Sequence, residues 1–316
     1  MKHNTESPLS ILAYTDGTDN SIDAVRSGIR LAAKTGGSID ILHATSLPVE
    51  TEIEETTPAV GEPIPRKDWG GLPDGLRHLT LDVISWLAAE KVCAIPDDIQ
   101  IRHQGLTLRR IVLDSGKTPV RLWLSYASPS DALSALVNEN KIDLVIVRGE
   151  EASLLNRLLG KNLAEAMALN LPTNILVIRG AIYSDTRFVI ASDGSESSNR
   201  AFGILRKIIP AIKKPIGILA KEGADTQDLE TWLEAHKRKG KVEILKDIEG
   251  ESETSPLNNI VDKLPPDRVL VLGASMRNSI LRAFKGSLPL ALVRAAPFSV
   301  LISKELPDKA DQEVKK

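Results

Sequence analysis

The sequence predicts an α/β fold of two doubly wound, mostly parallel five-stranded sheets flanked by helices, arranged as a pseudo-two-fold tandem repeat. Three observations predict it. The chain has 316 residues, too long for one ordinary domain and comfortable for two of about 150. Short β-branched apolar runs alternate with stretches whose apolar residues recur at helical spacing, as in parallel strands joined by crossover helices. The chain also contains two near-copies of one pattern.

Ser10–Ala24 reads SILAYTDGTDNSIDA and Phe188–Ala201 reads FVIASDGSESSNRA. Each is an apolar run, then Asp-Gly-hydroxyl, then the start of an apolar helical stripe. The copies also end alike, with DLVIVRG at Asp143–Gly149 and DRVLVLG at Asp267–Gly273. Asp16 and Asp193 are 177 positions apart but Gly149 and Gly273 only 124, so the first copy carries 53 additional residues. The expected organisation is a first domain over 1–180 with insertions at 47–71 and 94–119, a second over 181–306, and a charged tail over 307–316.

In the first copy the elements run strand Ile11–Tyr14, a helix with Ile22, Val25, Ile29 and Ala32 on one face, then strand Ile39–His43. Leu47–Gly71, rich in Pro, Gly and Glu, reads as a long loop that overhangs the strand ends. An amphipathic helix follows over Leu76–Lys91, and a further helix is expected around Leu106–Ser115. The copy closes with strand Asn174–Ile178. In the second copy the strands are Phe188–Ala191, Ile216–Ala220, Val242–Leu245, Arg268–Leu272 and Ser299–Ile302. Its helices run to about Ile209, over Gln227–Lys239 with Gly240 as the stop, over Pro256–Lys263, and over Leu288–Ala295. Right-handed crossovers place the ligand edge beyond the carboxyl ends of the strands, where strand order reverses.

Composition narrows the function. Lys plus Arg is 40 against 42 Asp plus Glu, a net charge of −2, which removes the electrostatic case for nucleic acid or an anionic membrane as main partner. No uninterrupted run of about 18 apolar residues is present, so no membrane span is expected. The single cysteine, Cys93, excludes an intramolecular disulfide framework and a cysteine-rich zinc site. Met1–Ser10 is polar and lacks the apolar core of a signal peptide; a cytoplasmic location is expected. The five histidines show no metal spacing, no nucleophile-elbow sequence is present, and no catalytic or metal residues are assigned. His43, at a strand end, reads as structural.

Two segments carry ligand chemistry. Asp193-Gly194-Ser195 follows the first strand of copy two, where an Asp can accept from a ribose or an adenine amino group and Gly allows a tight turn. Gly273–Ser287 (GASMRNSILRAFKGS) runs from a strand end to a helix N-terminus. Gly273 admits a close ligand, Gly286 and Ser287 offer amides and a hydroxyl to a phosphate, and Arg277 adds positive charge. These residues resemble the universal stress proteins, whose nucleotide-binding members carry Gly-x2-Gly-x9-Gly-Ser/Thr after strand four. Here Met276 replaces the second glycine, and Gly286-Ser287 keeps the spacing. The first copy departs further: Gly149 is followed by Glu150-Glu151, Ala152 takes the second glycine position, and Gly160 comes two residues early before Lys161.

The resemblance covers nearly the whole chain and implies two Rossmann-like domains. It implies ATP or a related adenine nucleotide, with magnesium, in the second domain, the base near Asp193, Ala220 and Lys221 and the phosphates near Gly273, Met276, Arg277, Gly286 and Ser287. In the first copy the Asp16 and His43–Ala44 edge is left for a base-like or apolar ligand. A stress-response protein that binds nucleotide for sensing, at most a slow ATPase, is the function implied. The alternatives are a non-binding scaffold acting through protein partners and, more remotely, an ATP-pyrophosphatase-type enzyme, whose Ser-Gly-Gly-x-Asp-Ser loop is absent. The resemblance also implies an internal pseudo-dimer through the two closing strands, with further homodimerisation open.

Overall fold

The computed structural model describes residues 8–44, 62–72, 74–104, 108–112, 118–149, 163–194, 196–245, 260–274 and 288–304. The chain forms two compact units, Met1–Arg148 and Gly149–Lys316.

In the first unit β1 (Ser10–Thr15) leads into α1 (Ile22–Thr35) and β2 (Ser38–Ala44). α1 buries Ala24, Val25, Ile29, Leu31 and Ala32, the stripe that its 3.6-residue period puts on one face. Then come β3 (Pro63–Pro65), a 3₁₀ turn (Arg66–Gly71) and α2, a continuous helix over residues 74–89 with a π-helical stretch at His78–Val83. β4 (Asp98–Gln104), β5 (Leu108–Val112), β6 (Val120–Ser125), α3 (Pro129–Asn140) and β7 (Leu144–Arg148) complete the unit. Ser128 caps α3, its hydroxyl accepting from the Asp131 amide at 3.2 Å, with Pro129 in the first turn.

The strand order is β7-β1-β2-β6-β5-β4-β3. β7, β1, β2 and β6 are mutually parallel, and β5, β4 and β3 extend them antiparallel. The expected five-stranded sheet is therefore corrected to seven strands. The extra ones come from the insertions. Of the helix expected around Leu106–Ser115, the described residues Leu108–Val112 are instead β5, paired antiparallel with β4, and part of the expected loop is β3 with its 3₁₀ turn. Trp69, 1% exposed, anchors that turn by donating to the Ile64 carbonyl at 3.2 Å.

The second unit holds α4 (Leu163–Asn170), β8 (Asn174–Ile178), β9 (Arg187–Ser192), α5 (Glu196–Ile208), β10 (Ile216–Lys221), α6 (Gln227–Ala235), β11 (Lys239–Leu245), β12 (Arg268–Ala274), α7 (Leu288–Ala295) and β13 (Ser299–Lys304). The order β11-β10-β9-β12-β13 is wholly parallel, and β8 adds an antiparallel sixth strand through Val300↔Val177, Leu301↔Leu176 and Ile302↔Ile175. So the closing strands of the two sequence repeats pair antiparallel. β8, which belongs by sequence to the first copy, thus lies in the second compact unit, ahead of the repeat junction near 180.

α6 stops at Ala235, short of the expected Lys239, because Lys237 turns left-handed (φ 54°) and the chain from Lys239 already pairs with β10. The core of this unit is the apolar strand interior, including Phe188, Ile190, Ile218, Val271 and Leu301. No helix among the described residues is long and apolar enough to cross a membrane.

Candidate functional site

Both copies build the same turn beyond their first strand. In each, the glycine of Asp-Gly is left-handed, Gly17 at φ 86° and Gly194 at φ 76°, a conformation that favours glycine. In each, the hydroxyl just before the aspartate accepts that glycine's amide: Thr15 from Gly17 at 3.2 Å and Ser192 from Gly194 at 3.3 Å. The sequence shows the hydroxyl in both copies, but only the geometry reveals its role.

In the second unit the strand order reverses around β9, whose neighbours are β10 on one side and β12 on the other. The parallel register sets Ala220 level with Ser192, so Asp193 lies beside the Ala220–Lys221 strand end. It also pairs Val271 with Ile190; two residues further along stand Gly273 and Ser192. Four of the expected residues thus share one sheet edge: Asp193 and Lys221 exposed, Ala220 buried and Gly273 half-buried. Met276, Arg277, Gly286 and Ser287, with Glu150, Glu151, Ala152, Gly160 and Lys161 of the first copy, lie outside the described residues.

The first unit has a formed cleft of about 330 Å³ at the equivalent edge. Asp16 and Gly17 line it beyond β1, His43 at the end of β2, and α2 supplies a wall that includes His78, Leu81 and Asp82. The wall over this edge is α2, which lies between the two expected insertions; of the Leu47–Gly71 segment, residues 47–61 lie outside the described residues.

His43 is 7% exposed. Its Nδ1 stands 3.0 Å from the Thr15 carbonyl oxygen; a carbonyl only accepts, so Nδ1 carries the proton and Nε2 is left with its lone pair. Burial, reinforced by the neighbouring His78, holds this imidazole below the usual histidine range, against the opposing pull of the Thr15 carbonyl and Asp16. The two imidazole rings lie 5.1 Å apart. His78 Nδ1 is 2.9 Å from Asp82 Oδ2 and its Nε2 is 3.3 Å from the Thr15 hydroxyl, which ties α2 to the end of β1.

Asp16 feels two opposing effects. Burial raises its carboxyl, but hydrogen bonds from Thr18, Ser21 and backbone amides outweigh that and keep it below the ordinary aspartate value. The Thr18 amide and hydroxyl both reach Asp16 Oδ1, at 2.9 and 2.6 Å. Asp74 and Arg77 pair with each other at the rim. Sequence reasoning placed Asp16 and His43 at this edge and missed His78, which lies 35 positions from His43 on α2. No group of three or more His, Cys, Asp or Glu that could hold a metal ion occurs among the described residues.

These observations define an α/β protein of two compact units, each with an Asp-Gly turn beyond its first strand. No protein-family model matches the sequence, and no curated protein matches it significantly. Solved structures do. A universal stress protein from Archaeoglobus fulgidus DSM 4304 is similar over 95% of this chain and 97% of its own, with a TM-score of 0.55 and 15% identity. A protein of unknown function from Pseudomonas aeruginosa PAO1 is similar over 98% and 97%, with a TM-score of 0.59 and 13% identity. The fold is that of the universal stress proteins, over essentially the full length of the chain.

Proposed function

We propose that the second unit binds ATP or a related adenine nucleotide, with magnesium, and that the protein is a nucleotide-responsive stress or signalling protein with little or no turnover. One observation carries this reading: Asp193, Ala220, Lys221 and Gly273 meet at the edge where strand order reverses, the ligand position of open parallel sheets. In this reading Asp193 accepts from the base or ribose, the β10 end flanks the base, and Gly273 lets phosphate approach the backbone. Met276, Arg277, Gly286 and Ser287 complete the phosphate end. The shared fold supports the class of function. A cytoplasmic location, two repeats joined through their closing strands and signalling through protein partners belong to the same reading.

A second reading is a scaffold that binds no nucleotide. Met276, standing where the motif calls for glycine, favours it. Calorimetric titration with Mg-ATP, ADP and AMP separates the two. Micromolar binding at one site per chain, lost in Asp193→Ala and Gly286→Asp, is the expected result. No heat at millimolar nucleotide would refute the nucleotide reading and leave the scaffold.

A further inference from the structure

We infer that Arg179, a residue of the first copy, is a positioning residue for the phosphates of a nucleotide bound by the second copy, because it fixes α7 from behind. This role rests on the nucleotide reading of the second unit, in which the phosphates lie at the start of α7.

The last four carbonyls of a helix have no partner within it. At the end of α7, Arg179 Nη2 donates to the Val293 carbonyl at 2.6 Å, and its Nε donates to the Ala296 carbonyl, just past the helix, at 3.2 Å. The Arg179 amide donates to the Ser299 hydroxyl at 3.1 Å. The backbone of this arginine is therefore tied to the start of β13 while its guanidinium grips α7. Arg294, in the last turn of α7, donates from Nε to Glu165 Oε2 of α4 at 2.6 Å. Leu290, Leu292 and Val293 are buried. So α7 is held by packing along its apolar side and, at its C-terminal end, by two residues of the first copy.

Gly149 makes room for this grip. A Cβ added there would lie 2.6 Å from Arg179 Cζ. The glycine after β7, equivalent in the repeat to Gly273, is thus taken up by an internal guanidinium.

Geometry decides how Arg179 acts. α7 has eight residues, so its ends are about 12 Å apart. That exceeds the Debye length of roughly 8 Å at physiological salt, so direct attraction between this arginine and a phosphate at the far end is weak. Its contribution is orientation. Two donors in the rigid fork of a guanidinium set the tilt of a short helix, and with it the aim of the N-terminal amides and of the positive dipole end.

Calorimetric titration of the full chain with ATP and with adenosine tests this. Adenosine has the base and ribose but no phosphate, so it reports the Asp193 end alone. Arg179→Met is expected to weaken ATP by about fivefold or more and to leave adenosine unchanged. Gly149→Ala keeps the arginine and its charge but pushes the guanidinium off α7. It is expected to weaken ATP likewise, and it carries the test if Arg179→Met does not fold. Arg179→Lys, with a single ammonium in place of the fork, should recover part of the loss. Equal weakening of ATP and adenosine would make Arg179 a residue of the fold alone. ATP binding unchanged in either Arg179→Met or Gly149→Ala would remove the grip from the site. Either result overturns the proposal. Failure of the nucleotide reading looks different: the wild type then shows no ATP binding at millimolar concentration, and the positioning role falls with it.

Discussion

Lys304 gives a direct reading of what burial costs in the second unit. It ends β13 at 7% exposure. Its backbone amide donates to Asn174 Oδ1 at 3.0 Å and its ammonium to the Leu171 carbonyl. Burial pulls its pKa from the ordinary 10.5 down to about 8. At about 1.36 kcal/mol per pH unit, that fall corresponds to roughly 3 kcal/mol. Below pH 8 the amine is charged in both folded and unfolded chains, and folding bears the full cost of burying it. Between pH 8 and 10.5 the folded chain has released the proton while the unfolded chain still holds it, so stability rises with pH. Lys304→Met keeps the apolar stem and removes the titration. Urea unfolding of the wild type and this variant at pH 7.5 and 10.5 isolates the effect, because every other titrating group is common to both. The wild type should gain roughly 3 kcal/mol relative to the variant across that interval. A difference that stays constant with pH would refute the reasoning.

Two further substitutions test the packing. Asp40 is wholly buried and accepts from Trp123 Nε1 at 2.6 Å and Arg121 Nη2 at 2.5 Å; Asp40→Ala should cost about 3 kcal/mol by chemical denaturation, since it strands a buried indole N–H and unpairs a partly buried guanidinium. Asp40→Asn, which keeps one acceptor, should cost less, and equal losses would contradict this account of the pair. Gly37 immediately precedes β2, where an added Cβ would lie 2.0 Å from the Leu9 carbonyl oxygen; Gly37→Ala should therefore destabilise by about 2 kcal/mol or more through forced backbone displacement, and an unchanged thermal midpoint would show that the strand end yields freely.

The repeating strand-helix framework was legible because its signals are local. α1 shows its stripe in sequence, and β1, β2, β7, β9, β10, β12 and β13 are apolar runs bounded by polar turns. The hairpin β4–β5 was not. Leu108, Ile111 and Val112 fit helical spacing as well as extended pairing. Partnership with β6, which sets Arg110 against Trp123 and Ile111 against Leu122, decides for strand. The end of α6 was misplaced for a similar reason. Gly240 looks like a helix stop, yet it lies within β11, where an added Cβ would be 2.6 Å from the Ile216 carbonyl oxygen; the chain turns earlier, at Lys237. At the first-unit edge, Asp16 is visible in its Asp-Gly turn. The pairing of His43 with His78 is not, because it exists only once α2 folds back over the strand ends.

The central claim is that adenine nucleotide binds the second unit. Photo-crosslinking with 8-azido-ATP followed by peptide mapping tests it most directly. The account expects label within residues 149–316, on peptides flanking Asp193 or Lys221, chased by unlabelled ATP and absent from Asp193→Ala. Label confined to residues 1–148, or label that excess ATP does not displace, would contradict it.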